Sequence, residues 1–194
     1  MISDFFLALL LALIQGLTEF LPVSSSAHLL FPSLLFGAKD FGIVFDISVH
    51  AGTLAAVIYF FKKEIQGLIY AWMPWRQTRS KEDFSLGLNL LVATLPIVIV
   101  GLLASDLTES RSTSINSIAW ANLVFAGLLY AAFKSSSQSK SLTELTLFAA
   151  LIIGCFQALA VFPGASRSGM AITGALIIGL NIKDTSKFAF LLSI

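Results

Sequence analysis

The stretch from Gln15 to His28 reads QGLTEFLPVSSSAH and places polar groups inside an otherwise apolar N-terminal segment. It contains a carboxylate at Glu19, three consecutive serine hydroxyls and an imidazole at His28. A charged group at the centre of a bilayer costs about 2.5–3.5 kcal/mol on insertion scales. Ionisable side chains in such surroundings therefore indicate a functional site.

A second copy of this stretch begins at Gln157 and reads QALAVFPGASRSGM. When Gln15 is aligned with Gln157, Ser24 pairs with Ser166, and the aromatic and serine positions around them match. The second copy carries a positive charge, Arg167, where the first carries a serine. One copy is thus acidic with a histidine and the other is basic, which predicts a duplicated half-site.

The composition predicts an integral membrane protein. Of the 194 residues, 57% are hydrophobic and only 12% are charged, with a mean hydropathy of +0.88, whereas soluble domains carry about 25% charged residues. The net charge of +1 and the lack of a basic tail give no reason to expect a nucleic-acid partner. Cys155 is the single cysteine, so an intrachain disulfide is excluded.

The apolar runs predict an all-α, polytopic fold that forms one membrane domain over residues 1–194. The expected helical segments are 5–21, 27–37, 43–61, 84–105, 116–133, 142–162 and 168–182. A membrane span needs about 20 residues. The first two segments are interrupted or short, as are the last two, so each pair is predicted to be a re-entrant, broken helix pair.

Charge patterning predicts an inverted topology for the two copies. The run 62–83 is the densest basic part of the chain and is assigned to the cytoplasm by the positive-inside rule. Its basic residues are Lys62, Lys63, Arg76, Arg79 and Lys81, and the next connection contains Asp106, Glu109 and Arg111. The first pair then enters from outside and the second from inside. Inverted repeats of this kind build a site near the midplane.

The repeat also predicts that a segment is missing. Repeat one covers about 5–61 and repeat two about 142–194. On the same alignment Phe45 pairs with Lys187, so the counterpart of 43–61 would begin near 185 and continue past Ile194. We therefore expect either that the chain is a fragment or that a partner chain, as in a homodimer, completes it.

The two motifs are suited to binding phosphate. Serines before a helix are good N-caps, and the helix that follows presents free N–H groups and the positive end of its dipole. Two such ends form an anion cradle, and Arg167 adds a bidentate partner. The predicted substrate-binding residues are Gln15, Ser24, Ser26, Gly164, Ser166 and Ser168.

Four residues are predicted to be catalytic: Glu19, Ser25, His28 and Arg167. Glu19 would repel phosphate unless it holds a divalent cation or acts as an acid, so it is also the candidate metal ligand. Ser25 and His28 are three residues apart and share a helix face, which predicts a nucleophile–base pair. Arg167 and the helix ends would stabilise the phosphoryl group.

Structural interpretations remain open for each of these residues. The serines could serve only as helix caps, and His28 could be a structural histidine. Arg167 and Glu19 could form a buried ion pair. His50, in the run DISVHAGTL, is interpreted as structural or peripheral. Gln15 is interpreted first as a residue that hydrogen-bonds one helix to another and second as a substrate ligand.

At these residues the chain resembles the bacterial undecaprenyl-pyrophosphate phosphatase family that is associated with bacitracin resistance. The first family signature is matched by Gln15, Glu19, PVSS at 22–25 and His28, and the second, PGxSRSxxT, by PGASRS at 163–168. The closing threonine is replaced by Ala171, with Thr173 two residues later.

The resemblance implies a hydrolase that removes the terminal phosphate of undecaprenyl pyrophosphate and so recycles the carrier lipid for cell-wall synthesis. It also implies a Mg²⁺ or Ca²⁺ cofactor, a polyprenyl pyrophosphate as lipid partner, and a site at the outer face of the bacterial inner membrane. Glu19 would serve metal or acid–base chemistry, and Arg167 would hold the phosphate. The attacking group, serine or water, is left open.

A transporter is the main alternative, because inverted repeats with broken helices are typical of alternating-access carriers. A polyprenyl phosphate carrier would use the same cradle. The presence of Ser25 and His28 in only one copy favours the enzyme. A second membrane phosphatase family, with PSGH and SRxxxxxHxxxD signatures, is set aside because no histidine follows Arg167.

Overall fold

The computed structural model describes residues 2–73, 75, 80–104 and 114–194, and these ranges are almost entirely helical. Within them lie nine α-helices: α1 Ile2–Thr18, α2 Ser25–Phe36, α3 Ile43–Phe60, α4 Lys62–Trp72, α5 Lys81–Leu103, α6 Ile115–Ser135, α7 Leu147–Ala158, α8 Arg167–Ile178 and α9 Ile182–Leu192. Short 3₁₀ turns at Leu142–Glu144 and Leu159–Val161 flank α7. The charged residues Arg76, Arg79, Asp106, Glu109 and Arg111, used in the topology prediction, lie outside the described residues.

Three helices, α3, α5 and α6, are long and apolar enough to cross a membrane. They coincide within a few residues with the predicted spans 43–61, 84–105 and 116–133. The prediction of an all-α membrane protein is therefore confirmed. The helices assigned to the broken pairs, α1, α2, α7 and α8, are shorter and apolar.

The basic run 62–83 was expected to be a loop, but its first part forms helix α4. This helix is amphipathic: it begins with two lysines and buries Ala71, and the ring of Trp72 stacks on Phe84 at 5.0 Å between centroids. Its Glu64 also pairs with Lys187 of α9 at 3.4 Å. The basic composition concealed a short apolar face, which packs mainly on α5.

The aligned helices α2 and α8 repeat the same local structure. Each has 12 residues. The N-cap serine hydroxyl of each accepts a hydrogen bond from the N–H three residues later, at 3.4 Å for Ser24 and 3.2 Å for Ser166. Each ends at a glycine in the left-handed region, Gly37 with φ +62° and Gly179 with φ +94°. The duplication seen in the sequence thus extends to where each helix begins and ends.

The core lies between α5, α7, α8 and α9, and it fixes the position of α8. Helices α5 and α7 approach so closely that a Cβ atom at Gly154 would overlap the carbonyl oxygen of Ala93. Small residues at such crossings let helix backbones pack directly against one another. Asn89 of α5 adds a buried hydrogen bond to the carbonyl oxygen of Leu145 at 2.9 Å. The N-terminus of α8, with Arg167, is therefore held by a closely packed framework.

Candidate active site

The first break in the chain follows directly from the end of α1. The helix ends at Thr18, and the N–H of Glu19 still donates to the carbonyl oxygen of Gln15 at 3.0 Å. Pro22, which lacks a backbone N–H, lies in the turn that separates α1 from α2. Ser24 then caps α2. The carboxylate of Glu19 is thus placed beside the first residues of the next helix.

One oxygen of Glu19 gathers the polar groups of this break. Its Oε2 accepts hydrogen bonds from Gln15 Nε2 at 2.8 Å and from Ser25 Oγ at 2.7 Å. His50 Nε2 of helix α3 lies 3.5 Å from the same oxygen. The hydroxyl proton of Ser25 is therefore directed at the carboxylate, which makes Glu19 the group able to remove it.

The second break turns sharply before α8. Gly164 has φ +96°, and a Cβ atom there would lie 2.8 Å from the carbonyl oxygen of Ile118 on α6. Both facts require glycine at this position, since L side chains rarely adopt this conformation. The glycine was predicted to bind substrate, but it does not line the cavity described below. Its observed contact is with α6.

The two breaks meet and enclose a small polar cavity. Ser168 Oγ donates to the carbonyl oxygen of Leu21 at 3.2 Å, and Gly169 faces the carbonyl of Pro22. The cavity has a volume of about 120 Å³. It is lined by Glu19, Val23, Ser25, Ser26, His50, Ala160, Ala165, Ser166, Arg167 and Ser168. Six of the ten predicted site residues are thereby brought together.

Arg167 lines this cavity with an uncommitted side chain. It is exposed and forms no ion pair or side-chain hydrogen bond with any of the described residues. The sequence left open a structural ion pair between Arg167 and Glu19. This ion pair is therefore not formed among the described residues. A planar guanidinium with free donors beside a cavity matches the geometry of phosphate.

Backbone donors complete the cradle. The first N–H groups of a helix have no partner within the helix. The capping serines satisfy the third N–H of α2 and of α8. The N–H groups of the first two residues of each helix, Ser25 and Ser26 in α2 and Arg167 and Ser168 in α8, therefore remain as donors at the cavity. The positive dipole ends of both helices also favour the binding of an anion at the cavity.

His28 is placed differently from the prediction. Its Nδ1 donates to the carbonyl oxygen of Ser24 at 2.7 Å, and its ring packs near Phe31. It does not line the cavity, and no hydrogen bond to Ser25 is found among the described residues. At the start of a helix the imidazole reaches back to the carbonyl four residues earlier, while Ser25 turns toward Glu19. The catalytic role of His28 stays a prediction.

Gln15 and Ser24 position residues of the site without lining the cavity themselves. Gln15 is fully buried and donates to Glu19, four residues further along its own segment, rather than to another helix. Ser24 is also buried and serves as the N-cap of α2. Neither lines the cavity, so each orients a residue that does.

Thr173 does not stand in for the threonine that the second family signature would place at Ala171. Its hydroxyl donates to the carbonyl oxygen of Gly169 at 2.7 Å and is buried inside α8. Ala171 is itself buried in the core. Neither position 171 nor position 173 therefore brings a hydroxyl to the cavity lining.

His50 was interpreted as structural or peripheral, and the structure places it in the cavity instead. It lies on α3, one of the three membrane-length helices. The signal was present in the sequence, because an ionisable residue within an apolar span indicates function by default. What the sequence did not show is that α3 packs against α1 beside Glu19.

The cavity offers a divalent cation one carboxylate. No group of three His, Cys, Asp or Glu residues suited to a metal occurs in the ranges that the structure describes. Mg²⁺ commonly keeps several waters and is held by one or two carboxylates together with substrate phosphates. Glu19 fits that kind of shared site, in which the phosphate supplies the other oxygen ligands.

Several known proteins match the sequence of this chain over most of its length. It is 48% identical to an undecaprenyl-diphosphatase of Saccharophagus degradans and 46% identical to one of Alcanivorax borkumensis, in each case over 98% of this chain and 72% of the relative. An undecaprenyl-diphosphatase of Teredinibacter turnerae is 44% identical over 98% of this chain and 73% of that protein. The model of the bacitracin resistance protein BacA family matches residues 8–194. The chain therefore belongs to the bacitracin resistance protein BacA family.

Proposed function

We propose that this protein is a membrane phosphatase that hydrolyses undecaprenyl pyrophosphate to undecaprenyl phosphate and inorganic phosphate. This reaction recycles the carrier lipid of bacterial cell-wall synthesis and accounts for the link to bacitracin resistance. Relatives named undecaprenyl-diphosphatase support the activity. The observation that carries it is the 2.7 Å hydrogen bond from Ser25 to Glu19 in a cavity shared with Arg167.

The terminal phosphate of the substrate would bind in the cradle between the two breaks. The free N–H groups at the start of α2 and α8 would donate to its oxygens, and Arg167 would bind two of them. The hydroxyls of Ser26 and Ser166 lie at the same cavity and would add further donors, whereas the proton of Ser168 is directed at the carbonyl oxygen of Leu21. These donors are fixed by helix caps, so little reorganisation is needed as charge develops on the phosphoryl group.

Ser25 is proposed as the nucleophile and Glu19 as its base. The oxygen of Ser25 attacks the terminal phosphorus while its proton passes to Glu19 Oε2, and the bond to the bridging oxygen breaks. Undecaprenyl phosphate leaves with the electron pair, and a phosphoserine remains. Water then releases inorganic phosphate and restores the hydroxyl. Gln15, by its bond to Glu19, keeps the carboxylate aimed at Ser25.

A divalent cation, Mg²⁺ or Ca²⁺, is proposed to bind with the substrate. Glu19 is the protein ligand that the cavity provides, and the phosphate oxygens would supply others. When bound, such a cation would neutralise negative charge on the pyrophosphate. The proton of Ser25 is handled by Glu19 and not by the cation.

The topology inferred from the sequence completes the proposal. We propose that the two copies are inverted repeats with re-entrant pairs, in a bacterial inner membrane, with the cavity toward the outer face. The matching caps of α2 and α8 and the short apolar helices support this arrangement. Cysteine labelling from either side of the membrane would test it. The homodimer considered from the sequence remains a prediction, which light scattering in detergent would test.

The direct experiment measures phosphate release from undecaprenyl pyrophosphate in detergent. Ser25→Ala and Glu19→Gln should each reduce release by at least about 10³-fold, because both remove a group that acts in bond formation. Ser33→Ala is the matched control, since among the described residues this hydroxyl bonds only to the carbonyl of Leu30 within α2. Wild-type protein that binds the lipid but releases no phosphate would contradict the proposal and favour the carrier.

A further inference from the structure

His50 has one ring nitrogen committed and one free. Its Nδ1 lies 2.7 Å from the carbonyl oxygen of Asp46, one turn earlier in α3. A carbonyl oxygen only accepts, so Nδ1 carries the proton. In the neutral ring, Nε2 then has a lone pair and no hydrogen.

The free nitrogen faces the cavity without a hydrogen-bond partner. Nε2 lies 3.5 Å from Glu19 Oε2, but that oxygen already accepts shorter hydrogen bonds from Gln15 and Ser25. No hydrogen bond to Nε2 is found among the described residues. The His50 side chain is 35% exposed and lines the cavity, so Nε2 can bind a water molecule from the cavity that would receive the phosphate.

The proposed reaction needs a second base, and Glu19 is not free to be it. After phosphoryl transfer, Glu19 holds the proton that came from Ser25. The same proton must return to the serine oxygen when the phosphoserine is cleaved, because the second step retraces the first. The attacking water must therefore give its proton to another group.

We infer that His50 is the general base for this second, hydrolytic step; the inference rests on the proposed function. Nε2 takes one proton from water as the water oxygen bonds to phosphorus. The bond between phosphorus and the oxygen of Ser25 breaks, and this oxygen takes back the proton held by Glu19. Inorganic phosphate leaves, and the proton on Nε2 returns to solvent through the open side of the cavity.

The other histidine does not fill this role in the described structure. The ring of His28 is bonded to the carbonyl of Ser24 and lies outside the cavity lining. Glu19 and Arg167 are the other ionisable residues that line the cavity. Arginine stays protonated in proteins, so His50 is the base that remains.

The test separates the two products in a single turnover. The purified protein is mixed with undecaprenyl pyrophosphate labelled in its terminal phosphate, and lipid product, free phosphate and labelled protein are measured over time. In His50→Gln and His50→Ala, lipid release should stay within about threefold of wild type. Phosphate release should slow by about 10²-fold or more, since general bases contribute 10²–10⁴-fold. Label should accumulate on Ser25, and added imidazole should restore release in His50→Ala.

Ser48→Ala is the control on the same helix, because within the described part of the chain this exposed hydroxyl bonds only to the carbonyl of Val44. Equal loss of both products in the two His50 variants would overturn the inference and leave His50 a structural role. A changed cation requirement with equal loss would also overturn it and assign His50 to cation binding. Absence of any labelled protein in these variants would overturn it as well. Wild-type protein that releases neither product would refute the proposed function itself.

Discussion

Ser168 Oγ donates a hydrogen bond at 3.2 Å to the carbonyl oxygen of Leu21, which lies 147 residues earlier in the chain. This contact joins the start of α8 to the turn after α1. It brings the cation of one break to the carboxylate of the other, and so the cavity exists only when both copies are in place. The contact is also open to a direct test.

Ser168→Ala should lower kcat/KM for undecaprenyl pyrophosphate about tenfold. One hydrogen bond contributes about 0.5–1.5 kcal/mol, and its loss would let the two breaks separate slightly. Ser135→Ala removes a comparable hydroxyl whose bonds, in the ranges that the structure describes, go only to carbonyls of its own helix α6, and it should have no effect. Unchanged kcat/KM in Ser168→Ala would argue against this contact as an organiser of the site.

Arg167→Ala should reduce phosphate release by about 10²–10³-fold, the cost typical of losing a preorganised donor to a developing anion. Thermal stability in detergent should not fall, because the guanidinium has no partner among the described residues. Arg167→Lys should recover only part of the loss, since an ammonium lacks the bidentate fork. Lys39→Ala, which breaks an exposed pair with Asp4, is the charge control and should retain full activity.

The two nitrogens of His28 can be tested separately by amide substitutions. In His28→Asn the amide NH₂ takes the place of Nδ1, so the bond to the carbonyl of Ser24 is kept. We expect this variant to retain activity within about threefold, and His28→Gln, whose amide lies farther out, to lose more. Rates of phosphate release and circular dichroism would be compared. Loss in His28→Asn equal to that in His28→Ala would instead support the catalytic role predicted from the sequence.

The crossing of α5 and α7 should be intolerant of added volume. Gly154→Ala should destabilise the protein by about 1–3 kcal/mol, the usual cost of overpacking, because the new methyl group meets the backbone of Ala93. Gly127→Ala in α6 is the control, since no atom lies within 4 Å of its Cβ position. That change should be neutral or slightly stabilising. Melting temperatures in detergent would compare them.

Cation dependence should follow the substrate rather than the free protein. Mn²⁺, used as a spectroscopic probe, should bind wild-type protein more tightly when inorganic pyrophosphate is present, because phosphate oxygens complete its ligand set. Glu19→Gln should lose this gain, and EDTA should suppress phosphate release from wild type. Equal Mn²⁺ binding by wild type and Glu19→Gln would show that the cation does not use this carboxylate.

Much of the fold could be predicted from the lengths of the apolar runs in the sequence. The spans α3, α5 and α6 were predicted within a few residues, because a membrane-length run of apolar side chains has few alternatives. The cap serines and the terminal Gly37 were likewise readable, since their positions depend on local backbone chemistry. Helix α4 was missed because the prediction weighed the basic composition of this run and not the helical spacing of its apolar side chains.

Six of the ten predicted site residues line the cavity, but the hydrogen bonds between them differ from the prediction. Ser25 and His28 were paired by helix spacing, whereas Ser25 in fact donates to Glu19, six residues before it and across the break. That contact depends on how the turn at Pro22 folds back, which no periodicity encodes. The position of His50 at the cavity depends on the approach of α3 to α1, two helices that are separated in the sequence by α2.

The matching starts and ends of α2 and α8 bear on how this cavity could be blocked. In the proposed site, phosphate would be held largely by main-chain N–H groups, which are the same in both halves and which only a change to proline removes. An inhibitor that imitates the phosphate and binds those groups leaves the bacterium few routes to resistance. An inhibitor that depends on the imidazole of His50 would lose its binding when that one residue is exchanged. Drug design against this cavity should therefore favour the main chain over the side chains.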